Sequence, residues 1–192
     1  MSDGVKFEMP DMSAYLAEMK ALPDAMREKI MRGAVASGAA VVRRAAVALA
    51  PEWDGVVGKG HPAPGTLKKA IYQVRMPEKC SNTSEVFKVD VRTGGTRAGK
   101  GGTRVALPDA FYAVWVERGH YTRMPGMTQK QHRKARLAGL AAAGGATWVP
   151  PHPFMRPAFE SNKAAAERAM KDYIDNNLPL ATAALKFIKA LP

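Results

Sequence analysis

Apolar residues recur at helical spacing in three places along this chain. From Asp11 to Leu22 the positions Tyr15, Leu16, Met19 and Leu22 form one stripe, and Pro23 punctuates it. A longer stripe follows from Asp24 to Leu49: Met26, Ile30, Ala34, Ser37, Val41, Ala45 and Ala48. Asp24 and Glu28 stand near its start and Arg43 and Arg44 towards its end, the polarity a helix dipole favours, and Pro51 stops it. The third stripe runs through "RPAFESNKAAAERAMKDYIDNN", with Ala158, Phe159, Asn162, Ala166, Ala169, Met170 and Tyr173 on one face. After Pro179 a last apolar turn or two is expected.

Alternation takes over between the second and third helices. Phe87, Val89 and Val91 alternate with Lys88, Asp90 and Arg92, which predicts a strand with one buried and one wet face. "TLKKAIYQVRM" predicts another strand from about Ala70. "VALPDAFYAVWVERGH" fits either period. Pro108-Asp109 before it and Gly119 behind it are helix punctuation, so a short helix with Ala110, Phe111, Val114 and Trp115 on its apolar face is expected. A further helix is expected within Thr128 to Ala143. Glu52 to Gly65 reads as loop, with Trp53 in it as a core plug or a partner anchor. The fold class is therefore α+β: a long N-terminal helix packed on a small antiparallel sheet, with a C-terminal helix after a proline-rich arm.

We read residues 1–192 as a single α+β domain. Within it lie an N-terminal helical segment (1–23), a basic inserted segment (120–149), a proline arm (150–157) and a C-terminal helical region (158–192). Pro150, Pro151, Pro153 and Pro157 stiffen the arm, so it holds the helix that follows at a defined distance. The long helix is rich in small residues (Gly33, Ala34, Ala36, Ser37, Gly38, Ala39, Ala40), which admit a close neighbour. That neighbour is either the chain's own sheet or another subunit.

Charge narrows the partners. Lys plus Arg is 29 against 17 Asp plus Glu, a net charge of +12. Such an excess favours nucleic acid, an anionic surface or an acidic protein. Arg92, Arg97, Lys100 and Arg104, then Arg123, Lys130, Arg133, Lys134 and Arg136, cluster without acids. These are the candidate residues facing DNA or an acidic partner. They lack the interleaved aromatics of a single-strand binder, so any DNA contact is expected to be non-specific. The single cysteine, Cys80, allows no internal disulfide, and "MSDGVKFEMPDMS" lacks the basic-then-apolar pattern of a signal peptide, which fits a reducing cytoplasm. The apolar run "GAVASGAAVV" is too short for a membrane span and meets Arg43 and Arg44 at once, so no membrane partner is expected.

Catalytic signatures are weak. Gly94, Gly99 and Lys100 match the frame of a phosphate-binding loop, but Gly101 stands where Ser or Thr should hold Mg²⁺, and no helix start follows. His61, His120, His132 and His152 show no metal-ligand spacing among themselves or with Cys80. His120 beside Glu117 is the only acid–base pairing on offer, without a nucleophile next to it in sequence. No enzyme, no metal and no cofactor is expected.

Four segments in order carry a resemblance: "ALPDAMREKIMRGAVASGAAVVRRAAVALAP" (Ala21 to Pro51), "PGTLKKAI" (Pro64 to Ile71), "FYAVWVERGH" (Phe111 to His120) and "PPHPFMRPAFESNKAAAERAM" (Pro150 to Met170). Together they resemble the HK97 gp10-like family of tailed-phage proteins, also called tail-completion or head–tail joining proteins. The pairing of "YAxxVExG" (Tyr112 to Gly119) with "PxPFxRPAxE" (Pro151 to Glu160) is its most specific part. In that family the proline segment follows the glycine fairly soon; here the basic insert intervenes. The resemblance implies a non-catalytic virion protein of the phage neck or tail, assembled in the host cytoplasm. It implies a homo-oligomeric ring, commonly sixfold. Its partners would be portal or head-completion connector proteins on one side and a tail terminator or tail-tube protein on the other, with DNA in the lumen. Tyr112, Trp115, Glu117, Pro153, Phe154, Met155, Arg156 and Phe159 are then the candidate assembly residues. The competing reading, from charge alone, is a non-specific nucleic-acid-binding accessory protein.

Overall fold

A computed structural model describes residues 13–52, 63–81, 84–98, 104–122, 126, 128, 130, 131, 133, 134 and 146–189. Within them the chain has the expected α+β character: a long N-terminal helix, antiparallel strands and a long C-terminal helix. The helices are α1 (Ser13–Lys20), α2 (Asp24–Leu49), α3 (Thr66–Ala70), α4 (Ala113–Arg118) and α5 (Met155–Lys189). The strands form three two-stranded antiparallel ladders: β1 (Ile71–Arg75) with β2 (Phe87–Val91), β3 (Thr96–Ala98) with β4 (Arg104–Ala106), and β5 (His120–Tyr121) with β6 (Trp148–Val149).

The chain divides into two compact units. The first comprises Met1–Leu49, Ile71–Val91 and Pro157–Pro192; the second comprises Ala50–Ala70 and Arg92–Arg156. In the first unit α2 lies on β1 and β2, and the Gln73 side chain donates to the Ala36 carbonyl. The core gathers Met19 and Leu22 with Ile30, Ala34 and Val42 of α2 and Ala166, Met170, Ile174 and Leu178 of α5. Both long helices bury rows spaced by four: 30, 34, 38, 42, 46 on one and 166, 170, 174, 178 on the other. Interlocked i±4 ridges are the commonest way two helices pack.

That row corrects the expected face of α2. Ile30 and Ala34 are buried as anticipated, but Gly38, Val42 and Ala46 replace Ser37, Val41 and Ala45, and Ala48 is exposed. A four-residue step advances 40° beyond a full turn, so the buried row winds around α2 to stay under its neighbours. The small residues serve this packing. A Cβ on Gly33 would stand 2.2 Å from the Tyr173 ring, one on Gly38 would stand 2.4 Å from Met170 Cε, and the Ser37 hydroxyl donates to the Ala169 carbonyl at 2.9 Å. The small-residue stripe thus receives α5 as well as the sheet.

Three further expectations change. The clean in-and-out alternation of β2 is absent, because all five of its residues are half-buried. α5 begins at Met155, so Met155, Arg156 and Pro157 belong to the helix and not to the arm; Pro157 is tolerated because N–H groups in a first turn have no helical acceptor. Pro179 lies inside α5, which continues to Lys189. The phosphate-loop frame is followed by strand β4, where that motif requires a helix. Trp53, His61, Lys100, Arg123, His132 and Arg136 lie outside the described residues. Among the described residues no helix is long and apolar enough to cross a membrane.

Candidate functional site

α5 opens without a capping residue of its own. The residue before its first turn is Phe154, and none of His152, Pro153 or Phe154 is a Ser, Thr, Asp or Asn. Its first N–H groups therefore need an acceptor from elsewhere. Glu117, in the last turn of α4, supplies it. Glu117 Oε2 accepts from the N–H groups of Phe154 at 2.8 Å and Met155 at 3.0 Å, and Oε1 accepts from Arg156 N–H at 3.2 Å. A carboxylate at a helix N-terminus also sits at the favourable end of the dipole.

Two more ties hold α4 to the arm. His152 N–H donates to the Val116 carbonyl at 2.7 Å. Beyond α4, β5 pairs with β6 in the register His120↔Val149 and Tyr121↔Trp148. Gly119 makes the crossing feasible. Its φ of 72° and ψ of 167° are reached almost only by glycine, and a Cβ there would stand 2.7 Å from Trp148 Cζ2 and 2.8 Å from the Val149 carbonyl. Phe154, 1% exposed, completes the clasp as a buried anchor.

The short helix anticipated at this place is present, but its apolar face is not where periodicity put it. Ala110 and Ala113 are buried, whereas Phe111, Val114 and Trp115 are exposed. A six-residue helix has one sheltered side, and here small alanines occupy it. The large apolar residues form an outward cluster: Trp115 meets Phe111 edge-on at 5.5 Å and stacks on His120 at 5.5 Å. Tyr112 is half-buried at the start of α4. Burial pushes its phenol up from the ordinary value, and nearby Asp109 adds to this.

The candidate assembly residues therefore divide. Glu117, Phe154, Met155 and Arg156 are brought together at the cap. Trp115, Pro153 and Arg156 are exposed. Phe159 packs against the core of the first unit. Of the candidate basic residues, Lys130, Arg133 and Lys134 are exposed; Arg92 is half-buried and its main chain bonds Ala70 and Ala110; Arg97 and Arg104 stand in β3 and β4. The pairing of His120 with Glu117 does not form through Nδ1, which is buried without a partner, while the Glu117 carboxylate serves the cap. Among the described residues no group of His, Cys, Asp and Glu could hold a metal ion.

Three features were not anticipated. The first is the role of Gly119; its signal is the Glu-x-Gly spacing. The second is the stem of the basic insert, where Thr122 N–H donates to the Thr147 carbonyl at 2.8 Å and Thr147 N–H donates back to Thr122 Oγ1 at 2.9 Å. Beside this stem Tyr121 and Trp148 face each other with ring centres 4.9 Å apart. The third is a polar cluster in the first unit. Glu85, its side chain 3% exposed, is held by a bidentate pair from Arg75 at 2.7 Å, with Arg32 at 3.6 Å and Cys80 Sγ at 3.3 Å. The Arg75 hydrogen bonds hold the Glu85 carboxyl below the usual range. Glu28, Arg75, Pro77, Cys80, Ser81 and Glu85 line a shallow open hollow.

Comparison with known proteins finds no matching family model, no matching curated protein and no matching solved structure.

Proposed function

We propose that this chain is a structural subunit of a tailed-bacteriophage neck, a head–tail joining protein. Copies would form a ring between the capsid connector and the tail. One observation carries the reading most directly. The two segments of most specific resemblance, Tyr112–Gly119 and Pro151–Glu160, are far apart in sequence, yet the glutamate of one caps the helix of the other. The glycine of the first lies against the strand that leads into the second. The motif residues thus share a mechanical role at the start of α5. Pinning α4 on its inner side leaves Phe111, Val114 and Trp115 facing outward on a fixed support, and a rigid apolar projection is what a head-to-tail ring contact requires.

The test is the light-scattering mass of the purified protein after size exclusion at low and high salt, with negative-stain images of any large species. A closed ring is expected, either alone or on addition of a connector or tail-tube partner. Val114→Asp, on an exposed position, should return the ring to monomers without loss of helix signal. A monomer that ignores both kinds of partner would count against the reading.

A further inference from the structure

α5 changes character along its length. Up to Asp175 its outer side carries charge, as a solvated helix face does, and Lys163, Arg168 and Asp172 are all exposed. From Asn176 to Leu185 there is no charged residue. One side of this stretch is covered within the first unit, where Leu178, Ala181 and Leu185 lie in or against the core. The other side is apolar too. Pro179, Leu180, Ala183 and Ala184 are exposed, Leu180 to 68%. A helix that is apolar all round is normally buried all round. Among the described residues nothing covers this outer face.

Shape and charge indicate the cover. Asp172, Asn176, Leu180 and Ala184 follow at four-residue steps, so one row of α5 runs from an acid through an amide to a large and then a small apolar side chain. The exposed side of α4 is graded the other way. Phe111, in the turn before the helix, is followed at helical spacing by Val114 and Trp115 and then by Arg118, all exposed. Laid antiparallel, the two rows set cation opposite acid and bulky rings opposite alanines. The lengths agree. Phe111 to Arg118 rises about 10 Å along a helix and Asp172 to Leu180 about 12 Å, a difference an arginine side chain spans. Ala183 and Ala184 let a second helix approach closely. Among the described residues neither Arg118 nor Asp172 makes an ion pair.

We infer that the outer face of α5 at Pro179–Ala184 is the receiving half of the assembly contact. It takes Phe111, Val114 and Trp115 from a second copy of this chain, with Arg118 of that copy on Asp172. Both faces are exposed in the single chain, so the contact is one between copies. Joining two different faces of the same chain makes it heterologous, the kind of contact that closes rings. The inference rests on the ring reading above and adds to it the surface that α4 meets.

Disulfide trapping tests the pairing in the full chain with Cys80→Ser. Val114→Cys and Leu180→Cys are prepared as separate chains, and each is oxidised alone and in mixture with the other. A covalent dimer that forms only in the mixture is expected. A concentration series in light scattering reads the charges. Arg118→Glu should weaken association about fivefold, and adding Asp172→Arg should recover it. All four positions are exposed, so the variants keep the fold, and circular dichroism checks this. Val114→Cys joined to itself would keep α4 as an assembly contact and overturn the role of α5. Leu180→Cys joined to itself, or shielded from a thiol reagent in the monomer, would put a twin helix or a segment of its own chain on that face and overturn it too. No covalent dimer under conditions where the parent assembles would sink the pairing and leave the ring; a parent that never assembles would remove both.

Discussion

Glu117 and Glu85 are both carboxylates that are not free, and they are constrained by different means. Glu117 is held by three main-chain N–H groups, so its removal leaves the first turn of α5 uncapped. Glu117→Ala should lower stability by about 1–2 kcal/mol, and Glu117→Gln, which keeps one acceptor oxygen, by less. Urea denaturation of the two variants against the parent measures both. Glu85 is held by side-chain cations, Arg75 first and Arg32 with it, and its carboxyl is depressed. A depressed acid contributes stability in full above its unfolded value, about 4.3, and loses it as pH falls through the lower folded value. The melting temperature should therefore fall on acidification below about pH 4, and Glu85→Gln should flatten that part of the profile while melting lower at pH 7. A thermal-melt series from neutral to acid pH, run on both proteins, would expose a Glu85 that contributes nothing.

Elements were legible wherever a periodicity ran long enough to outvote its context. α2 has the bounds that its stripe and its punctuation by Pro23 and Pro51 predict. β2 and the short helix α4 also stand where they were expected. What failed was finer. The buried row of α2 drifts because α5 crosses it, and no local pattern encodes the partner's direction. The exposed side of α4 was misassigned because a six-residue helix samples too little of its own period. A capping or ion-pairing role suits a glutamate in that position, but which helix Glu117 caps was not legible, because the two segments join only after the insert between them is closed by Thr122 and Thr147. The fit of α2 to α5 makes a prediction of its own. Met170, 2% exposed, fills the space above Gly38, so Met170→Ala should cost about 2–5 kcal/mol. Adding Gly38→Ala should then restore part of that loss, because its Cβ enters the vacated space and alanine favours helix by about 1 kcal/mol over glycine. In the parent the same glycine substitution should destabilise, since its Cβ would meet Met170 Cε at 2.4 Å and the Ala166 carbonyl at 3.3 Å. A double-mutant cycle of melting temperatures reads the coupling directly.

At the scale of the whole molecule, the exposed apolar cluster around α4 and the cations of the insert are different parts of the second unit. The exposed cluster of α4 is apolar and is supported by the clasp to the arm, whereas the cationic helix belongs to an excursion that begins and ends on one pair of threonines. An excursion closed at its base can be cut without moving the frame that carries it, because its ends are already at main-chain hydrogen-bond distance. Replacing residues 123–146 by a Gly-Gly turn should leave the β5–β6 ladder, the Glu117 cap and the helix signal in place. It should also leave the oligomeric mass that the parent reaches with its partners, while net charge falls by five, from +12 to +7. Circular dichroism and light scattering on one preparation separate the outcomes. A variant that no longer reaches that mass would place the proposed assembly contact on the insert and not on α4.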